Sequence, residues 1–143
     1  MRSLILFLIL AVATACQSPQ QAEEAQQAWD SVMRVHDEAM TQMGTLNRTK
    51  TQLGAYLDGS AELAEEQRQE IEQTMENLSA AQDGMMNWMS NLVSPLDSLR
   101  ASRSHEEVME YLAAEQAAVN KVQEDINAAL DAGRHLLGSL EER

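Results

Sequence analysis

Aromatic side chains are almost missing from this chain, which has one Phe, two Trp and two Tyr in 143 residues. Its core must be filled by something else, and nine methionines are available for that. Proline is nearly as scarce, at two residues, so little interrupts the long stretches of Ala, Glu, Gln, Leu and Met that favour helix. No segment alternates apolar and polar residues as a half-buried strand would. The single cysteine, Cys16, excludes an internal disulfide and any Cys-x-x-Cys motif. Basic residues are few: 10 Lys and Arg stand against 23 Asp and Glu, for a net charge of −13. That excess argues against nucleic acid, whose phosphates reward cations, and against a body lying flat on an anionic leaflet. The sequence contains no nucleophile elbow, no glycine-rich phosphate loop and no His-Glu-x-x-His. The chain is therefore read as non-enzymatic.

Long apolar runs are also lacking. The longest, Leu4 to Val12, falls short of the about 20 residues that span a bilayer. With Arg2 before it and Ala13-Thr14-Ala15 behind, it fits a cleavable secretory signal over residues 1–15. The Ala-Thr-Ala-Cys stretch resembles the bacterial lipobox, although Ala13 stands where leucine is more usual. The resemblance implies that the Cys16 thiol is acylated and becomes the first residue of the mature chain, held on a lipid bilayer by several acyl chains of the palmitate type. Gln17 follows where an aspartate would favour inner-membrane retention in the enterobacterial pattern. The expected location is the cell envelope, on the outer membrane facing the periplasm. Loss of the signal removes Arg2 and leaves 9 basic against 23 acidic residues.

The rest reads as all-α. Residues 16–27 are mostly Gln, Ala and Glu, a polar tether merging into the first helix, and residues 28–143 form the body. Three long helices are expected, at about 22–57, 61–93 and 104–140. Asp58-Gly59-Ser60 supplies a left-handed stop at Gly59 and a cap at Ser60. Pro95 ends the second helix, residues 94–103 form a loop, and Ser104 with Glu107 has the spacing of a capping box. Apolar stripes at three-and-four spacing run along each segment, through Val32, Leu46 and Leu53, through Ile71, Leu78 and Met85, and through Val108, Leu112, Val119 and Ile126. Short connections make an antiparallel up-down-up three-helix bundle the expected architecture, about 50 Å long. A dimer of hairpins or an extended coiled coil would use the same stripes, so self-association and a protein partner both stay open.

His36 and Glu115 interrupt these stripes. Folding the chain back at residue 59 and again at the second loop brings His36, Gln82 and Glu115 into one layer, where imidazole, amide and carboxylate satisfy groups that are costly to bury alone. One reading of that layer is a register pin, since a slipped alignment would bury unpaired groups. The other notes Met33 and Met40 one turn either side of His36, with Met85 and Met89 opposite. Thioether and imidazole are soft ligands suited to Cu(I), which makes a copper-buffering envelope protein the alternative function. Haem is disfavoured, because a narrow three-helix core has no room for it. His105 is expected to face solvent just past its cap, and His135 lies in the last turns of the third helix.

Three segments carry a family resemblance: Trp29 to Met43, containing His-Asp-Glu-x-Met, Asp83 to Met89 (D-G-M-M-N-W-M), and His105 to Leu112 (H-E-E-V-M-E-Y-L). Together they resemble small helical lipoproteins of Bacteroidota, often labelled viral A-type inclusion protein-like. The resemblance implies a helical, membrane-anchored protein and lends no catalytic residue.

Overall fold

The computed structural model describes residues 18–59 and 63–142. The signal peptide, Cys16 and Gln17 lie outside the described residues, as does Ser60. All regular structure among the described residues is helical, in the segments α1 (Pro19–Met40), α2 (Met43–Gly59), α3 (Glu65–Asn91), α4 (Leu96–Ser102) and α5 (His105–Glu141). None of these is long and apolar enough to cross a membrane.

Helix starts follow local chemistry. Ser18 caps α1: its Oγ accepts from the Gln21 N–H at 3.2 Å, and the Gln21 side chain accepts from the Ser18 N–H at 2.9 Å. Pro19 follows at the first helical position, where its missing N–H costs nothing. The stretch expected as a tether is therefore helical from Pro19 onward. Ser104 caps α5 in the same way, accepting from the Glu107 N–H at 3.3 Å while the Glu107 carboxylate accepts from the Ser104 N–H at 2.8 Å.

Three boundaries differ from the sequence reading. The expected single helix 22–57 is broken at Thr41-Gln42. The Thr41 hydroxyl donates to the Glu38 carbonyl at 2.7 Å, and the Gln42 N–H reaches back only three residues, to Ala39 at 2.9 Å. A side-chain donor competing for a helical carbonyl tightens the turn locally. Gly59 does not act as a left-handed stop: it is the last residue of α2, and no described residue has positive φ. The cap of α3 is Ala64, whose N–H is accepted by Gln67 at 3.1 Å. Within the expected loop 94–103, residues Leu96 to Ser102 form α4. Leu96 and Leu99 are both buried there, against Ala25, Val108 and Leu112, and that burial offsets the cost of ordering so short a helix.

Packing centres on α5, which contacts α1, α2, α3 and α4, while α2 also packs on α3. The main core joins Val32, Leu46, Leu53, Ile71, Leu78, Met85, Val119 and Ile126, all essentially inaccessible. The α2–α5 crossing is unusually close at Gly133: a Cβ there would lie 2.6 Å from Cγ2 of the buried Thr49. Lys50 donates to Ser79 Oγ at 3.2 Å, while Thr49 beside it faces the core.

Candidate functional site

Two of the three polar residues expected in one layer, His36 and Glu115, are linked through a residue the sequence reading had not assigned to them. Trp88, on the buried face of α3, donates its indole N–H to Glu115 Oε2 of α5 at 2.8 Å. Its ring lies against the His36 imidazole of α1, with centroids 5.7 Å apart and planes tilted by 34°. His36 turns Nδ1 toward its exposed neighbour Asp37 at 2.9 Å. Trp88 thus occupies the place expected for Gln82, which lies nearly two turns earlier on α3 and is half-buried.

Tyr111, one turn before Glu115, extends the junction. Its hydroxyl accepts the Val93 N–H at 2.8 Å, just past the end of α3. Burial pushes the Tyr111 phenol above the ordinary tyrosine range, the Val93 hydrogen bond opposes that, and the neighbouring Glu115 carboxylate adds to it. The Arg103 guanidinium lies over the Tyr111 ring at 5.3 Å. The Glu115 carboxylate thus links the Trp88 indole and the Tyr111 phenol, which ties α3 to α5, with the His36 ring against the indole.

The sulfur-bearing residues around this junction sit in contrasting environments. Met85 is fully buried in the core and Met33 is half-buried, whereas Met40 and Met89 are 37% and 38% exposed. Among the described residues, no group of three or more His, Cys, Asp and Glu side chains is placed to hold a metal ion. The Cu(I) alternative would rest on His36 and thioethers alone.

No family model, curated protein or solved structure matches this chain. Its site is accordingly read from its own chemistry.

Two features lie apart from the junction. His105, expected to face solvent, instead folds against α1, with Nε2 3.1 Å from Glu24 Oε2 and a buried Nδ1 that has no hydrogen-bond partner. This pair ties the start of α5 to the first turns of α1. Between α3 and α5, a shallow groove of about 330 Å³ is lined by small residues, including Ala80, Gly84, Ala128 and Ala132. His135 is exposed near the end of α5.

Trp88 and Tyr111 are the junction residues that sequence reasoning missed. Trp88 had a usable signal. A buried indole N–H needs an acceptor, and Glu115 was the one acid on the apolar stripe of the last helix. Tyr111 lies off that stripe and had none.

Proposed function

We propose that this chain is a lipid-anchored envelope protein, attached through acylated Cys16, whose helical body binds a protein partner and catalyses no reaction. In this reading α1 with α2, then α3, then α5 form an up-down-up bundle on the outer membrane, facing the periplasm. The reading is supported by the short apolar signal ending in Ala-Thr-Ala-Cys and by the all-helical described residues. It agrees with the resemblance to the small Bacteroidota lipoproteins. The partner-binding part is carried by one observation: the large apolar side chains left exposed, Met40, Met86, Met89 and Val93, belong to the segments around the His36–Trp88 contact. Apolar surface gathered in this way marks an interaction site more often than apolar residues scattered singly.

Metabolic labelling tests the anchor. Expressed in a bacterial host fed radiolabelled palmitate, the wild-type chain incorporates label and sediments with outer membranes. Cys16→Ser abolishes the label and releases the protein from that fraction. An unlabelled wild-type chain overturns the reading.

A further inference from the structure

The first helical segments and α5 run in the same direction. Glu24 meets His105 at 3.1 Å, Gln123 donates to Glu38 at 3.5 Å, and Gly133 abuts Thr49 of α2, so the contacts climb both in step. The Ser18 cap and the start of α5 therefore lie at one end of the body, and Gly59 lies at the other. At about 1.5 Å per residue along α1 and α2, the two ends are about 60 Å apart.

The first turns of α1 belong to the packed body. Ala25 is fully buried against Leu96 and Leu99 of α4 and Val108 and Leu112 of α5, and the Glu24–His105 pair lies one residue earlier. The start of α1, α4 and the start of α5 thus close into a single foot.

Chain length sets how far this foot can be from an anchored Cys16. Ser18 follows Cys16 by two residues, and two residues reach at most about 7 Å. Beyond Ser18 the chain is already capped and helical, so it offers no further slack. The surface of the foot is small and polar: Ser98, Ala101, Ser102 and Arg103 are all exposed. A guanidinium and hydroxyls suit phosphate oxygens. The flanks do not, since Asp37 and Glu38 on α1, Asp58 on α2, Glu66 on α3 and Glu110 and Glu124 on α5 are all exposed. Laying a flank on a bilayer takes such carboxylates out of water or presses them against anionic lipid.

We propose that this foot rests on the phospholipid headgroup layer and that the body stands end-on, with Gly59 about 60 Å from the lipid. The inference rests on the acylation of Cys16 proposed above and adds the orientation that acylation alone leaves free.

The test uses the full acylated chain in phosphatidylcholine vesicles that carry rhodamine on a small share of the headgroups. Ala101→Cys at the foot and Asp58→Cys at the far end each supply one free thiol for a fluorescein donor, the acylated Cys16 being blocked. Energy transfer to the headgroups should be at least tenfold faster from the Ala101→Cys site than from the Asp58→Cys site. A 12-residue Gly/Ser insertion after Gln17, which as a flexible coil reaches about 20 Å, should keep the anchor and shrink that ratio at least threefold. If a variant loses helical circular dichroism, Ser98→Cys or Thr51→Cys, also at exposed positions, takes its place. Equal transfer from the two ends, as a body lying on one flank would give, overturns the proposal. So does a ratio that the insertion leaves unchanged. Palmitate labelling separates the two failures: a labelled chain with equal transfer loses the orientation alone, whereas an unlabelled chain loses the anchor and the orientation together.

Discussion

Trp88 donates its indole N–H to Glu115 across 2.8 Å, joining positions 27 residues apart on α3 and α5. Trp88 is 7% exposed, so the bond is shielded from water along much of its length. Replacing Trp88 by Phe keeps most of the ring and removes the donor. A hydrogen bond to a charged acceptor contributes about 1.5–3 kcal/mol, so with Glu115 only half-buried a loss near the lower figure is expected. Urea unfolding of Trp88→Phe, Glu115→Gln and the double variant measures it. The single losses should sum to more than the double, because the two changes remove one shared bond.

Two glycines of α5 should respond in opposite directions to alanine. At Gly133 the new Cβ meets Thr49 Cγ2 at 2.6 Å in the core, so Gly133→Ala destabilises by about 1–3 kcal/mol through overpacking. Adding Thr49→Ser, which removes the clashing methyl, recovers part of that. At Gly138 nothing lies within 4 Å, and Gly138→Ala stabilises by about 0.5–1 kcal/mol through helix propensity. Thermal melts of the three variants check both signs.

Tyr111 predicts a change at alkaline pH. A phenol whose folded-state pKa is raised contributes stability that is fully present below the ordinary tyrosine range and is lost as pH rises through the folded pKa. Absorbance at 295 nm in a Tyr56→Phe background follows Tyr111 alone, and its midpoint should exceed about 10. Glu115→Gln removes a neighbouring negative charge and should bring that midpoint down.

Glu107 predicts the opposite dependence at acid pH. Hydrogen bonds from the Ser104 backbone and hydroxyl, with Arg103 nearby, hold its carboxyl below the ordinary range. A depressed carboxylate contributes stability above its unfolded pKa, and that contribution is lost as pH falls through the folded one. Melting temperatures of wild type and Ser104→Ala should therefore differ most at neutral pH, and the gap should narrow as acid is added, leaving the part due to the lost cap of the Glu107 N–H.

How far these features were legible depended on what each residue needs. Val32, Leu46, Leu53, Ile71, Leu78, Val119 and Ile126 are buried where three-and-four spacing put them, because that spacing directly states which face a helix hides. Continued past Ile126, a strict three-and-four spacing would drift near the end of α5, where Leu136 is buried and Leu137 only half-buried, since a straight helix turns every 3.6 residues and not every 3.5. The break at Thr41-Gln42 carries neither proline nor a cap signal; it rests on one hydroxyl bonding a carbonyl, which the pattern of apolar residues does not register. The polar junction was half legible. His36 and Glu115 betrayed themselves as polar interruptions, whereas their common partner Trp88 looked like any other apolar residue of its stripe.

The position of α5 in the chain has a consequence for how the body closes. Every other helix packs on it, yet it follows all four of them in the sequence. Without α5, α1 lacks the helix on which it packs, and only α2 and α3 still pack extensively on each other. The body therefore closes as one unit only around α5, and truncation within α5 should harm the whole body more than its distance from the junction suggests.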